Sequence, residues 1–309
     1  MPRQKSWSTP HYREPVTSTR SKFAGGDQAY LRNEQYRDSD RLARRARLHA
    51  RYSIATGSWF DWVTSRFELA PELDVLEVGC GAGWLWEQST VPLPSSVRLT
   101  LTDHSDGMVA EALDRVTSTG RLASVDGRQA DAQDLPFADA SFDRVVANHM
   151  LYHLPDPGRG VAELARVVRD DGIVVAATNG RKHMRELWEI RGNVFDLVAI
   201  DQTIDVFGAD TGFAVMRDHF DDVRWLQFND ELRCRGPEAL ADVMAYICST
   251  PPAEDATVEQ LAQIEAALVA AFANGDGTMT ISKDSGCFVC RCPRRTSAPA
   301  RRGGQRWLH

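Results

Sequence analysis

The segment VLEVGCGAG at 75–83 constrains this chain more than any other: an apolar, strand-like run ends in three glycines at alternate positions, and helical sequence follows. Residues without side chains let the backbone turn sharply and let a ligand approach closely. The helix start behind the bend offers N–H groups without intrahelical partners. A dinucleotide site has the spacing GxGxxG and rests a pyrophosphate on those N–H groups. Here the third glycine comes one residue early, position 84 is Trp, and Glu77 sits two residues before the first glycine. An anion there repels pyrophosphate and suits a ligand with a cationic end.

Strands are expected at 74–78, 97–102, 128–130 (the weakest), 142–147 and 173–178, with helices between them such as 108–117 and 160–168. Such alternation builds a parallel sheet covered by helices on both faces. Ahead of it, Tyr30, Leu31, Tyr36, Leu42 and Leu48, then Trp59, Phe60, Trp62, Val63 and Phe67, recur at roughly helical spacing and place helices within 27–69, ended by Pro71. After the fifth strand, 180–200 reads as a helix, 202–220 as irregular and 223–228 as a strand. Pro237 opens a helix to about 248. Thr257 and Gln260 resemble a capping box whose helix stops at Asn274 and Gly275. The stretch 278–292 is a last strand or hairpin.

Two further acids follow strand-like segments. Asp103 closes the second strand, 20 residues after Gly83. It can accept two hydrogen bonds from a ribose diol, as acids at this place do in dinucleotide sites; it can equally cap the helix that begins beyond it. Asp131 follows the third strand and can accept from an adenine amino group. Three strand ends thus bring suitable groups to one edge of a parallel sheet, where ligands of such sheets bind.

Charge narrows the partners. Residues 1–52 hold 12 Lys/Arg against 5 Asp/Glu, and 291–309 hold 6 Arg and no acid, yet the whole chain carries −7. The body between them is therefore strongly acidic, which disfavours a nucleic-acid partner, since phosphate binding needs a concentrated basic face. No run approaches the ~18 apolar residues of a membrane span. The polar N-terminus predicts a cytoplasmic chain with reduced cysteines. Cys287 and Cys290 have no matching second pair and face opposite sides of a strand, so no metal is expected.

These motifs, VLEVGCGAG (75–83), LTDHSDGMV (101–109), DAQDLPFADASFDRVVANHMLYHLPD (131–156) and GIVVAATNG (172–180), resemble the class I S-adenosylmethionine (SAM) dependent methyltransferases, in particular the UbiE/type-11-like subgroup. The resemblance spans about residues 70–180. It implies an α/β, Rossmann-like doubly wound sheet of seven strands with the last one antiparallel, extended here by N-terminal helices and a helical insertion after strand 5. It implies SAM as cofactor, held by Glu77, Gly79, Gly81 and Gly83, with Asp103 on the ribose, His104 and Met108 beside the adenosine, Asp131 and Ala132 at the adenine, and Asn148 near the methionine part. His104 departs from the subgroup, which often has a small or apolar residue there. The corresponding plan is a flexible lead at 1–26, a helical cap at 27–69, a SAM-binding domain at 70–292 with a substrate-covering insertion at 180–220, and a flexible basic tail at 293–309.

Methyl transfer from a sulfonium is an in-line displacement that depends chiefly on alignment. A base is needed where the acceptor atom must shed a proton. The candidates follow strand 4: His153 first, His149 second, with Tyr152 between them; the histidines can equally cap a helix or pack on the cofactor. Tyr30, Tyr36, His183 and Trp188 are the candidate acceptor-binding residues. Amino-directed DNA methyltransferases carry an (Asn/Asp/Ser)-Pro-Pro-aromatic tetrad after strand 4, and residues 148–151 read NHML. The expectation is an O- or N-methyltransferase of a small molecule, an apolar or aromatic specialised metabolite. A peptide, protein or RNA acceptor is the alternative, and a homo-oligomer is compatible with the sequence.

Overall fold

A computed structural model describes Ala24, residues 27–35 and residues 40–295. In chain order the helices are α1 (Gln28–Tyr30), α2 (Asp40–Tyr52), α3 (Trp59–Thr64), α4 (Trp84–Gln88), α5 (Asp106–Ser118), α6 (Pro157–Val167), α7 (Arg185–Phe195), α8 (Thr203–Phe207), α9 (Ala209–His219), α10 (Ala239–Ile247) and α11 (Val258–Asn274). The strands are β1 (Asp74–Val78), β2 (Arg98–Asp103), β3 (Ser124–Gln129), β4 (Phe142–Asn148), β5 (Val168–Asn179), β6 (Phe220–Phe228), β7 (Glu231–Arg235), β8 (Thr278–Ser282) and β9 (Ser285–Pro293).

Seven strands form one sheet in the order β3-β2-β1-β4-β5-β9-β6. The first five are parallel. β9, the last in the chain, runs antiparallel to both β5 and β6. This is the seven-stranded arrangement that the resemblance implied. Its central strands are apolar because both faces are covered: Val75, Leu76, Val145, Val146, Val174 and Val175 are all buried. One face carries Leu76, Val145, Val161, Leu164, Met216 and Phe288. The other carries Val75, Trp86, Leu99, Val146, Val175 and Cys287. Cys287 and Cys290 therefore enter opposite cores, as strand alternation requires.

A separate core joins Leu48 of α2, Leu187 of α7, Val243 of α10, Leu268 of α11 and the two-stranded sheet β7-β8. Two local expectations need correction here. The stretch 278–292 contains two strands that do not pair with each other: β8 pairs with β7, and β9 enters the large sheet. The stretch 202–220, expected to be irregular, holds α8 and α9. Their cause is tertiary. Gly212 of α9 lies under the rings of Phe207 and Phe288, where a Cβ would come within 3.0 Å of either.

Parallel strands share an edge at their carboxyl ends. Val78, Asp103, Gln129, Asn148 and Asn179 therefore stand in a row, and β9 and β6 extend that row through Ser285 and Phe228. The site lies along this edge. Phe288 anchors the sheet beneath it, fully buried against Phe207, Phe213 and Trp225. Phe288→Ala should lower the unfolding free energy by about 3–5 kcal/mol, the usual cost of deleting a buried ring, measured by urea denaturation monitored by circular dichroism.

Candidate active site

The bend after β1 is tied to β2 by backbone. Gly79 and Cys80 both donate to the carbonyl of Thr102, at 2.7 and 2.9 Å, and Gly81 donates to Asp103 Oδ2 at 3.0 Å. All three glycines have positive φ, at +71°, +51° and +78° for Gly79, Gly81 and Gly83. Their environments differ. A Cβ at Gly79 would strike Met150 at 2.7 Å, and one at Gly83 would strike the α5 backbone at Ala112 at 2.9 Å. At Gly81 it would meet nothing nearer than Leu42 at 3.8 Å, on the wall of a cavity of about 870 Å³.

That cavity is lined by Glu77, Gly79, Gly81, Asp103, His104, Met108, Asp131, Ala132 and Asn148. Nine of the ten expected cofactor residues thus meet in one space. Gly83 is the exception, because it packs α4 against α5 instead of facing the cavity. Asp103 also accepts from the Ser105 N–H at 2.9 Å, while Ser105 itself caps α5 through Met108 N–H. Asp103 is therefore not the helix cap that the sequence left open. Asp131 Oδ1 accepts from the Gln133 N–H at 2.8 Å, which sets the turn after β3.

Glu77 is buried and accepts from the indole N–H of Trp86 at 2.6 Å. Burial pushes its carboxyl up to about 8; the Trp86 hydrogen bond acts against this, and the Asp103 charge adds to it. Burial also raises Asp103. Asn148 Oδ1 is buried without a hydrogen-bond partner among the described residues. A carboxyl kept neutral by burial and an orphaned amide oxygen on one cavity wall both gain from a cationic, N–H-bearing ligand. Two more carboxylates beside them offer acceptors and no phosphate clamp. The donor set fits a positively charged nucleoside carrying an ammonium group.

The cavity continues over β4, β5, β9 and β6. His149 leaves β4 with φ +56° and donates its backbone N–H to Ala177 at 3.1 Å. Its ring lies 5.0 Å from Trp59. Burial lowers its pKa to about 3, with contributions from the charges of Lys283 and His153. Tyr152 sits edge-on to His153 at 4.5 Å. Both line the cavity, as do His183 and Trp188. The Trp188 indole donates to the His183 carbonyl at 2.9 Å, and His183 Nδ1 lies 3.2 Å from Ser285 Oγ. Burial holds His183 neutral.

Tyr30 is a correction. Its hydroxyl donates to Glu254 at 2.7 Å, with the Gln35 amide oxygen 2.9 Å away, so it ties the N-terminal segment to the turn at 253–255. Gln28 and Leu31 on the same segment line the cavity in its place. Helical spacing indicates that Tyr30 is buried and does not say against what. Tyr36 lies outside the described residues.

Sequence reasoning missed a polar group at this end. Lys283 Nζ stands 3.0 Å from Asp230 Oδ2, both side chains are buried, and both residues line the cavity. His49 joins them, stacked 6.1 Å from His183, with Nδ1 lacking a hydrogen-bond partner among the described residues. Burial keeps His49 neutral. These residues lie singly in turns and in an arginine-rich helix, where no local pattern marks them. Among the described residues no group of three or more ligating side chains is placed to hold a metal.

Comparison with known proteins agrees with the geometry. A family model described as a methyltransferase domain matches residues 76–176. A demethylmenaquinone methyltransferase of Desulfitobacterium hafniense is 30% identical over 118 residues, which are 38% of this chain and 47% of that protein. A phosphatidylethanolamine N-methyltransferase of Cereibacter sphaeroides is 42% identical over 102 residues, or 33% and 48%. The chain thus spans about half the length of these curated relatives. Among solved structures, a Haemonchus contortus phosphoethanolamine N-methyltransferase 2 with phosphomonomethylethanolamine and S-adenosylhomocysteine shares the fold. It has a TM-score of 0.52 and 17% identity, over 86% of this chain and 59% of that one. Residues 76–176 are accordingly a class I, SAM-dependent methyltransferase domain of the UbiE/type-11 kind.

The raised pKa of Glu77 has a stability consequence. A carboxyl of ordinary pKa 4.5 that titrates near 8 in the folded state stabilises the fold fully below 4.5, and that stability is lost as pH rises through 8. The neutral histidines act in the opposite sense and only below about 6.5. Between pH 6.5 and 8 the ligand-free protein should therefore lose about 2 kcal/mol more stability than Glu77→Gln does, at about 1.4 kcal/mol per pH unit. Urea midpoints at both pH values check this.

Proposed function

We propose that the whole chain is a SAM-dependent methyltransferase that moves a methyl group to an O or N atom of a small molecule, an aromatic specialised metabolite in the cytoplasm. The observation that carries the proposal is the continuity of the cavity. Its acceptor-lined part, with Glu77, Asp103 and the orphaned Asn148 oxygen, opens directly into a part walled by Trp59, Trp188 and Phe228. A volume near 870 Å³ lies at the upper end of the range for small-molecule sites and suits a nucleoside with an acceptor beside it.

The bound cofactor supplies an activated methyl group on a sulfonium. The protein's part is alignment and proton handling. Asp103 would take the ribose hydroxyls, Asp131 and Ala132 the adenine edge, and Glu77 with Asn148 the ammonium end. Met108, fully buried, would close the adenosine side together with His104.

His153 is the proposed base for an acceptor that must lose a proton, and Tyr152 holds its ring edge-on. His149, with its pKa near 3, stays neutral at physiological pH and is assigned to orienting the acceptor. A base that weak gains little from accepting a phenolic or ammonium proton. His183 and Trp188 line the acceptor side. Small-molecule acceptors fit a site whose walls bury the ligand, with the N-terminal segment across it through Gln28, which donates to the His153 carbonyl at 2.7 Å.

The test is calorimetry followed by turnover. SAM should bind to the wild type, and Asp103→Ala should weaken binding by about 1.5–3 kcal/mol, because a charged acceptor is removed from two hydroxyls. Unchanged affinity ends the ribose assignment, and nicotinamide dinucleotide binding without SAM binding ends the proposal. On an identified acceptor, His153→Ala should lower kcat at least tenfold with SAM affinity near normal. Undiminished kcat removes the base from that position.

A further inference from the structure

We propose that the acceptor carries an anionic oxygen group on an aromatic framework, a carboxylate in the simplest case, and that Lys283 binds it. The inference rests on the methyltransferase reading of the cavity and adds the substrate class that the far end of the cavity selects.

Lys283 follows β8 and precedes β9, and so reaches the edge of the large sheet from the turn between the two sheets. Its ammonium contacts one anion, Asp230. Asp230 does not need it for satisfaction. Asp230 Oδ1 accepts the backbone N–H groups of Ile54 and Ala55 at 3.2 and 3.1 Å, and Oδ2 accepts the Ser53 hydroxyl at 2.8 Å. The carboxylate is thus already bound by the loop between α2 and α3, and an ammonium has three N–H donors, of which Asp230 engages one. The face of Phe228 lies 5.7 Å from Nζ.

The charge of Lys283 reaches three of the five histidines that line the cavity. It is the second-largest influence, after burial, in holding His49, His149 and His183 neutral. Among the described residues this end of the cavity therefore holds the enclosed Lys283 ammonium, Arg45 beside His49 with its guanidinium donating to the Ser249 carbonyl, neutral rings that can donate hydrogen bonds, and aromatic walls at Trp59, Trp188 and Phe228. A dianion such as a phosphate monoester generally meets several cations or a guanidinium fork. A single ammonium, partly offset by Asp230, matches a monoanion. The walls match a flat ring attached to it.

A purely structural ion pair would leave the cavity indifferent to the ligand's charge, and binding distinguishes the two roles. Benzoate against benzamide, and 2-naphthoate against 2-naphthamide, are titrated into the wild type by isothermal calorimetry. Each titration is run with and without S-adenosylhomocysteine. Uptake of S-adenosylhomocysteine itself is measured first and tests the cofactor reading alone; the acid–amide ratio is obtained whatever that outcome.

At least one acid should bind tenfold or more tightly than its amide. Lys283→Met should reduce that ratio to below threefold with the amide Kd changed by less than twofold, and Lys283→Arg should retain the preference. A wild-type ratio below threefold for both pairs, absence of binding by both acids at 10 mM, or a preference that survives in Lys283→Met overturns the proposal. Should Lys283→Met fail to fold by circular dichroism, Lys283→Gln takes its place under the same criterion, and the wild-type ratio alone still decides against the proposal when it is small.

Discussion

The contact on which the site depends is the pair of backbone hydrogen bonds from Gly79 and Cys80 to Thr102, extended by Gly81 to Asp103. They fold the chain after β1 back over the end of β2, which is possible only because Gly79 and Gly81 accept positive φ without a Cβ. One consequence is proximity. Glu77, buried, and Asp103, half-buried on the adjacent strand, come close enough for the charge of Asp103 to oppose ionisation of Glu77. A second is spacing. With strand ends about 4.8 Å apart, the row from Asp103 through Val78, Asn148 and Asn179 to Ser285 fixes where each group meets a ligand, without further devices.

Much of this was legible in the sequence. The core of β5 is a continuous apolar run, and β1 and β4 carry shorter ones at 75–76 and 145–147, as strands buried on both faces require. β3 was weak for a reason that the structure supplies: SVDGRQ lies at the sheet edge, largely exposed, so its composition need not be apolar. The glycine spacing together with three acids picked out residues that line one end of the cavity, because they lie at strand ends and in one bend.

The acceptor half was not legible in the same way. β7 and β8 pair across the two helices that separate them in the chain, so no local pattern joins them. Asp230 and Lys283 are single residues in turns whose proximity follows from that pairing. Tyr30 and Leu31 are neighbours in one helical segment, and only tertiary contact with Glu254 shows that Leu31 is the one that faces the cavity. Helices α8 and α9 were hidden because glycines at 208 and 212 depress helix propensity, whereas here Gly212 is what lets α9 approach Phe288. Local rules are overridden where packing needs a missing side chain.

The two halves are also matched in charge. A sulfonium nucleoside brings a positive charge into a buried space, where an unpaired cation is expensive. Protonated imidazoles at His49, His149 and His183 would repel it at close range. Burial and the Lys283 ammonium keep all three neutral, and Asp230 offsets that ammonium. In the proposed division of the cavity, the acceptor half then carries little charge beyond Arg45, while the cofactor half offers Glu77, Asp103 and Asp131. Glu77 near pKa 8 is the responsive element of the proposed site: neutral when no cation is beside it, it would favour the ionised form once an ammonium takes the place of the lost hydration. An electrostatic gradient along the strand ends, from acids to a single compensated lysine, would then orient a cationic donor and an anionic acceptor toward each other before any catalytic group acts.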